Sequence, residues 1–320
     1  MSSSRFVVTG GAGFIGSHLV ERLLADGHLV CVIDDLSTGS LANLEAVRCH
    51  PGLEMVQSKV SARPGLAGDL RGARGVFHLA AAVGVELVVR EPIRTIRTNL
   101  DETLALLEAA AAAGTPALLA STSEVYGKSA QPVFAETDDL LIGPPHLGRW
   151  SYACSKLMDE FLAMAYAAER GLPVTIARLF NTVGPRQSGR YGMVLPRFID
   201  AARQGRPLMV HGDGSQTRCF CHVADTVEAL VRLMGCPAAR SQVFNIGGAE
   251  EISIRGLADL VRSVLRSSSV VELVPYDQAY APGFEDMRRR KPCVEKLERY
   301  TGFRPRIPLR RIIELTASPA

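Results

Sequence analysis

The sequence predicts an α/β fold: a doubly wound parallel sheet with helices on both faces, followed by a smaller lobe. Short apolar runs alternate with longer helical patterns through the first half of the 320-residue chain. That alternation is typical of βαβ units and of a parallel sheet. The hydrophobic content of 47% is enough to bury one large core or two coupled cores. Right-handed crossovers then place helices on both faces of the sheet.

The individual elements follow from periodicity and turn residues. Strands are predicted at 6–8, 29–33, 53–56, 75–79, 117–120 and 174–179, and helices at 17–24, 98–112 and 152–170. Beyond Phe180 the pattern changes. A loop at 184–190 precedes helices at 194–204, 223–234 and 253–265 and strands at 208–210 and 243–248, and 275–320 is loop-rich. We therefore predict a larger domain of residues 1–181 plus 223–248, and a discontinuous α/β lobe of 182–222 plus 249–320.

Composition and charge exclude several classes of protein. The net charge of +3 is small, which argues against non-specific nucleic-acid binding. The chain enters a strand almost at once and has no long apolar run, so we expect no signal peptide and no membrane span. Seven scattered cysteines suit a reducing, cytoplasmic location. Cys219, Cys221 and His222 lack a fourth ligand at metal-site spacing, so no metal is expected.

A glycine-rich loop predicts a dinucleotide site. Gly10, Gly13 and Gly16 follow a predicted strand and open a helix, with the spacing GxxGxxG. Glycines there let the backbone turn tightly and approach a pyrophosphate at the helix N-terminus. Asp34 ends the next strand, where a carboxylate binds the adenosine ribose and repels a 2′-phosphate. The sequence therefore predicts NAD rather than NADP, with Asp35 beside the adenine.

A hydroxyl, a carboxylate and a Tyr/Lys pair predict the chemistry. Tyr152 and Lys156 are four residues apart and share one face of a helix. The ammonium is expected to lower the pKa of the phenol, so that it can take a proton from a sugar hydroxyl while hydride leaves the same carbon. Thr122, Ser123 and Glu124 follow a predicted strand, and Glu124 adds a carboxylate for chemistry at a neighbouring carbon.

Motifs along nearly the whole chain resemble the extended short-chain dehydrogenase/reductase family of nucleotide-sugar enzymes, which has a Rossmann-type fold. They are TGGAGFIG at 9–16, VIDD at 32–35, FHLAA at 77–81, Asn99, LLASTSEVYG at 118–127, YxxxK at 152–156, ARLFNTVGPR at 177–186, GDGSQTRCFCHVAD at 212–225, FNIGG at 244–248 and RKP at 290–292. The resemblance implies NAD in the larger domain, a UDP-sugar between the lobes, and a homodimer through the helices at 98–112 and 152–170.

The resemblance also implies roles for individual residues. Tyr152 is the base on the 4-hydroxyl, Lys156 tunes it and binds the nicotinamide ribose, and Thr122 lies near the 4-oxygen. Glu124 and Ser123 act near C5 and the carboxylate. The implied cofactor contacts are Gly10, Gly13, Phe14, Ile15, Gly16, Asp34, Asp35, Leu79, Ala80, Ala81, Asn99, Tyr152 and Lys156. The implied substrate contacts are Asn181, Arg186, Arg218 and Arg290.

The strings STSEVYG, SQTR and RKP are most similar to family members that decarboxylate UDP-glucuronate. The expected reaction oxidises C4, loses carbon dioxide from the resulting β-keto acid, and gives UDP-xylose or a UDP-4-keto-pentose. A UDP-sugar 4-epimerase remains the alternative, because it needs only the Tyr/Lys pair and a hydroxyl. A 4,6-dehydratase normally has an Asp where Ser123 stands, since a serine is too weak an acid for that role. An NAD-binding regulatory protein is a further alternative, although it would not need an intact Tyr152 and Lys156.

Two segments depart from the family pattern. The resemblance leads one to expect an Asp beside the adenine near the end of the strand at 53–60, but the chain has Gln57, Ser58, Lys59 and Val60 there. The segment 144–150 before Tyr152 is bulkier than expected. Its Arg149 and Trp150 could line the sugar pocket, or Trp150 could simply pack between loop and helix.

Overall fold

The computed structural model describes residues 3–84, 88, 90–187, 193–279 and 285–318. Its centre is a parallel sheet of seven strands, ordered β3-β2-β1-β4-β5-β6-β11. These strands are β1 Arg5–Thr9, β2 Leu29–Asp34, β3 Leu53–Gln57, β4 Gly75–His78, β5 Ala117–Thr122, β6 Val174–Leu179 and β11 Gln242–Ile246. The strand order reverses between β1 and β4, so the carboxyl ends of these two strands bound a crevice. The predicted doubly wound, Rossmann-type sheet is confirmed.

The helices cover both faces of this sheet. They are α1 Phe14–Ala25, α2 Leu66–Leu70, α3 Pro92–Ala113, α4 Trp150–Arg170, α5 Val194–Arg203, α6 Val223–Met234, α7 Ile254–Leu265, α8 Tyr276–Ala279, α9 Glu295–Thr301 and α10 Leu309–Ala317. Val8 packs with α1 and α6 on one face, and Val7 with α3 and α4 on the other. Successive strand residues point to opposite faces, so one buried strand serves two cores. None of the helices in these described ranges is long and apolar enough to cross a membrane.

Helices α3 and α4 form one layer, and local signals explain their ends. Pro92 begins α3 at a position where a missing N–H costs nothing. Gly114 and Gly171 end α3 and α4 with φ of +67° and +64°, a conformation that glycine adopts without a Cβ clash. Helix α3 starts six residues before the predicted 98–112 because the pattern did not include its first, polar turns.

A third core lies in the smaller lobe. Leu195, Phe198, Leu257 and Ile312 come from α5, α7 and α10 and pack together. Short strand pairs flank this core: β8 Leu208–His211 with β13 Val271–Val274, β9 Thr217–Cys219 with β12 Glu251–Ser253, and β7 Thr182–Val183 with β10 Cys221–His222. The predicted loop at 184–190 is described only as far as residue 187 and has no helix or strand there.

The C-terminal region differs from its prediction as loop-rich, since it contains α8, α9 and α10. Helix α9 also lies outside the lobe to which the sequence assigned it. Leu297 is buried in the core around β11, and Lys296 Nζ lies 4.8 Å from the centroid of the Phe244 ring. The chain returns to the large sheet at this point because β11 is an edge strand and needs apolar cover.

Candidate active site

The glycine loop is built for close contact with a ligand backbone. Gly10 has φ +72°, and a Cβ there would lie 2.7 Å from Ala80 N. A Cβ at Gly16 would lie 2.1 Å from the Gly10 carbonyl oxygen. Gly13 precedes α1 with its N–H donating to that same carbonyl at 3.1 Å. Side chains at these positions would fill the cradle. Because the residues are glycines, the N-terminus of α1 stays open to a pyrophosphate.

Asp34 is held in the orientation that a ribose contact needs. Its Oδ2 accepts a hydrogen bond from Ala12 N at 2.9 Å, and its Oδ1 accepts one from Leu36 N at 2.8 Å. Burial raises the pKa of this carboxyl, and the two backbone donors oppose the rise. Asp35 is more exposed and accepts from Ser37 N at 2.9 Å.

A cleft joins these groups. Its lining includes Gly10, Gly13, Asp34, Asp35, Leu79, Ala80 and Ala81 from the predicted cofactor contacts. Asn99 instead supports the wall. Its Oδ1 accepts from Ala82 N at 2.8 Å, and its Nδ2 donates to Ser155 Oγ at 3.0 Å. Phe14 and Ile15 pack against the core under the loop.

Tyr152 and Thr122 meet as the sequence predicts, but the pKa of the phenol moves the other way. Tyr152 lies in the first turn of α4, and its side chain is hydrogen-bonded to Thr122 at the end of β5. Burial raises the pKa of Tyr152 above its ordinary value, and the negative charge of Glu124 raises it further. The net direction is therefore opposite to the lowering predicted from Lys156.

Lys156 has another partner in this state. Its Nζ donates to Asp159 Oδ2 at 2.8 Å, and both side chains are almost fully buried. His78 lies behind this pair, with Nδ1 2.7 Å from Thr9 Oγ1 and Nε2 3.2 Å from Thr103 Oγ1. Burial lowers the pKa of His78 to about 3. It is a neutral bridge between Thr9 and Thr103.

Glu124 is the most tightly held carboxylate of the site. Its Oε2 accepts from Arg149 Nη1 at 2.6 Å, and its Oε1 accepts from Arg290 Nη1 at 3.2 Å. Burial alone would raise the pKa of Glu124. The charges of Arg149, Arg290 and Arg218 outweigh that effect and lower the pKa to about 2. Glu124 is therefore an anion at neutral pH, able to accept hydrogen bonds but not to serve as a proton donor.

Asp286 completes a charged cluster around Glu124. Both of its oxygens accept from Arg218 Nη2 at 2.8 Å, and its Oδ1 lies 3.9 Å from Arg149 Nη2 and 4.0 Å from Arg290 Nη2. Three guanidinium groups thus face two carboxylates, leaving one positive charge. Burial lowers the pKa of Arg290 to about 10, and its Nε has no hydrogen-bond partner among the described residues. The site is charged to attract a further anion.

Two predicted substrate contacts lie apart from this cluster. The Asn181 side chain donates to the Cys219 carbonyl at 2.9 Å, where the chain passes from β6 to the smaller lobe. Arg186 Nη2 lies 2.6 Å from Glu21 Oε1, and its Nη1 donates to Ser17 Oγ at 3.2 Å. Arg186 thus ties the interlobe segment to α1, and in this structure its side chain is directed at the cofactor helix.

The sequence indicated Arg149 only as a residue that could line the sugar pocket, and it did not indicate Asp286 at all. The signal for Arg149 was its position three residues before Tyr152, one turn along the same helix face. Asp286 gave no signal, because its partners are distant in sequence. Trp150 is buried against Phe180 and Met287 and donates to Glu285 Oε2 at 3.1 Å, which favours the packing interpretation for this side chain.

The described residues contain no cluster of side chains suited to a metal ion. Cys219 and Cys221 are buried free thiols, and burial raises the pKa of each to about 12. Neutral thiols are poor metal ligands and poor nucleophiles. Cys219 ends β9 and Cys221 begins β10, and Phe220 between them is buried as well, so the two thiols belong to the packed interior.

Comparison with known proteins places the fold and site in context. Residues 6–247 match the model of the NAD dependent epimerase/dehydratase family. The chain is 41% identical over 304 residues to the UDP-N-acetyl-alpha-D-glucosaminuronate decarboxylase of Bacillus cytotoxicus, covering 95% of this chain and 93% of the relative. It is 37% identical over 310 residues to UDP-glucuronic acid decarboxylase 1 of Danio rerio, covering 95% and 70%.

A solved structure also aligns over nearly the whole chain. It is the UDP-glucuronic acid 4-epimerase from Bacillus cereus in complex with UDP-glucuronic acid and NAD. The TM-score is 0.87 at 27% sequence identity, covering 98% of each chain. The crevice between β1 and β4 thus belongs to a fold that is known with NAD bound.

Proposed function

The chain belongs to the NAD-dependent epimerase/dehydratase family, and on that premise we propose that it decarboxylates a UDP-linked hexuronic acid, converting UDP-glucuronate into UDP-xylose or a UDP-4-keto-pentose. NAD is its cofactor. The observation that carries the proposal is Glu124, an ionised carboxylate set among three arginines beside the Tyr152 phenol. We propose that residues 1–181 plus 223–248 hold the cofactor, and that the UDP-sugar lies between them and the smaller lobe.

The first step draws on Tyr152 and Thr122. NAD, when bound, supplies the hydride acceptor and a positive charge near the phenol. Tyr152, hydrogen-bonded to Thr122, takes the proton of the 4-hydroxyl as the C4 hydrogen leaves as hydride. Lys156 lies one helical turn from Tyr152 on α4, with its Nζ hydrogen-bonded to Asp159, and we assign it to the nicotinamide ribose.

The second step draws on the arginine cluster. A C4 ketone is β to the C6 carboxylate, so carbon dioxide leaves and electrons move onto O4, where the Tyr152 and Thr122 hydroxyls stabilise the enolate. We propose that Glu124 orients the Arg149 and Arg290 guanidinium groups, which donate to it at 2.6 and 3.2 Å. Protonation of the enolate at C5 gives the 4-keto-pentose, and return of the hydride to C4 together with the Tyr152 proton gives UDP-xylose.

The charge of this cluster favours a uronic-acid substrate over a neutral hexose, because a 4-epimerase acting on a neutral hexose has no use for an excess positive charge near C5. A 4-epimerase acting on UDP-glucuronate would meet the same carboxylate, so only the products separate it from the decarboxylase. A dehydratase needs an acid for the departing 6-hydroxyl, and neither Ser123 nor the ionised Glu124 can supply it. A uronic-acid carboxylate, in contrast, brings the cluster to neutrality, which is the condition for burying charge at low cost.

The test of this proposal is an assay of products. Purified protein with NAD and UDP-glucuronate should release carbon dioxide and form UDP-xylose or the 4-keto-pentose. UDP-galacturonate without gas would replace this proposal with the 4-epimerase.

The substituent at C2 defines a second candidate substrate. The 41% identity to a decarboxylase named for UDP-N-acetyl-glucosaminuronate favours an acetamido group in place of the 2-hydroxyl. Parallel assays of the two uronic acids under the same conditions decide between them through the ratio of kcat/KM.

We propose further that the protein is a homodimer through α3 and α4. Ile93, Leu104, Met158 and Phe161 on these helices are exposed, Ile93 by 75% and Phe161 by 65%. Large apolar side chains grouped on neighbouring helices are typical of subunit interfaces. Phe161→Asp should yield monomers in light scattering after gel filtration, whereas Leu273→Asp, an exposed leucine in the smaller lobe, should not. A wild-type monomer at micromolar concentration would contradict this.

A cytoplasmic location remains part of the proposal. All seven cysteines are free thiols, the state that a reducing compartment maintains. Cell fractionation with an antibody to the protein would test it.

A further inference from the structure

The cofactor cleft extends beyond the ribose contact to a wall of different chemistry. On the side toward β3, its lining includes Ser58, Lys59 and Val60, which follow that strand, together with Arg94, Thr98 and Glu102 of α3. A pyrophosphate at the N-terminus of α1 and a ribose at Asp34 direct the adenine of NAD toward this end of the cleft.

Glu102 is an anion built into that wall. The residue is 5% exposed. Its Oε2 accepts from Val60 N at 2.6 Å and from Ser61 N at 3.2 Å, and its Oε1 accepts from Ser61 Oγ at 2.5 Å. A carboxylate oxygen accepts about two hydrogen bonds, so Oε1 retains capacity for one more donor.

The Watson–Crick edge of adenine has one strong donor, the exocyclic amine, next to the N1 acceptor. Lys59 occupies the region where the family resemblance leads one to expect an Asp, and an ammonium cannot accept a hydrogen bond. Both oxygens of Asp34 already have backbone donors. Of the carboxylates that line the cleft, Glu102 is the one beyond the ribose end.

We propose that Glu102 recognises the exocyclic amine of the adenine of NAD, replacing from helix α3 the acid that is missing after β3. The inference concerns the cofactor and holds whichever sugar is the substrate. It makes the protein selective for the base, because a purine without the amine offers the Glu102 carboxylate no donor at C6.

The experiment compares two cofactors that differ at this group alone. Cofactor-free protein is titrated calorimetrically with NAD and with the dinucleotide of nicotinamide and unsubstituted purine, in which a hydrogen replaces the amine and N1 remains an acceptor. Wild-type protein should bind NAD tighter by about tenfold or more, the strength of a hydrogen bond to a charged group. In Glu102→Gln the preference should fall to about threefold or less, because a hydrogen bond to a neutral amide oxygen is weaker.

Asp35→Asn is the matched variant, since Asp35 lines the same cleft at the ribose end. It should weaken both dinucleotides equally and keep the preference for NAD. Loss of the preference in Asp35→Asn with retention in Glu102→Gln would overturn the proposal and assign the amine to Asp35. If Glu102→Gln lowered the affinity for both dinucleotides equally, Glu102 would only support the turn at Val60 and would not recognise the base. If Glu102→Gln does not fold, equal binding of the two dinucleotides by wild-type protein would still refute the proposal.

Discussion

Replacing Arg149 by Met tests the electrostatic reasoning at the site most directly. The Arg149 and Glu124 side chains are 3% and 11% exposed, and their charged atoms are 2.6 Å apart. Removing one partner of a buried ion pair typically costs about 3–5 kcal/mol. Glu124 retains Arg290 at 3.2 Å, so the loss should lie at or just below the lower end of that range, about 2–3 kcal/mol at pH 7.

The pKa of Glu124 gives an independent magnitude and the pH dependence. A shift from the ordinary 4.5 to about 2 corresponds to about 3 kcal/mol of stability at neutral pH. Because the folded-state pKa is depressed, this contribution is fully present above pH 4.5 and is lost as pH falls toward 2. Arg149→Met leaves Glu124 buried and removes the positive charge that lowers its pKa most, so the pKa of Glu124 should rise.

The assay is urea unfolding of both proteins between pH 3 and pH 7. The difference in unfolding free energy should be largest above pH 5 and should shrink steadily below it. Arg48→Met is the control, since Arg48 is 73% exposed and lies 3.7 Å from Glu45, and it should behave as wild type. A difference that stays constant across this pH range would mean that Arg149 stabilises the fold by packing alone, and would refute the reasoning.

Three further outcomes are expected. Tyr152→Phe should reduce turnover by about 100-fold or more while leaving NAD bound, as measured by product formation and by the cofactor content of the purified protein; retained turnover would remove Tyr152 from the mechanism. Glu124→Gln should impair release of carbon dioxide more than NAD affinity, and equal loss of both would indicate a structural role. Gly16→Ala should lower NAD affinity by about 100-fold or more, since its Cβ would lie 2.1 Å from the Gly10 carbonyl oxygen; unchanged affinity by calorimetry would contradict the close approach described for this loop.

Much of the cofactor half of the site could be read from neighbouring residues. The loop at Gly10–Gly16 joins a strand to a helix, and Asp34 ends the next strand. In each case a few neighbouring residues determine both the backbone conformation and the ligand that it binds. Tyr152 and Lys156 share a helix face for the same local reason. Seven of the eight predicted strands lie in the observed parallel sheet because buried parallel strands are continuous apolar runs, and the eighth, at 208–210, is β8 beside β13.

The charged cluster around Glu124 required the tertiary structure. Asp286 is distant in sequence from Glu124 and Arg149, and only the return of the chain across the crevice brings them together. The same holds for Leu297, which the linear order assigned to the smaller lobe although it packs against the large sheet.

The sequence by itself determined which chemical groups this protein has and which elements carry them: a dinucleotide loop, a phenol with its lysine, and a carboxylate at a strand end. Only the tertiary structure decided the charge state of those groups. The pKa of Tyr152 is raised and that of Glu124 lowered, against the first expectation for a tyrosine beside a lysine and for a buried acid. The physical reason is that desolvation and through-space charge depend on three-dimensional neighbours, which spacing along the chain does not specify.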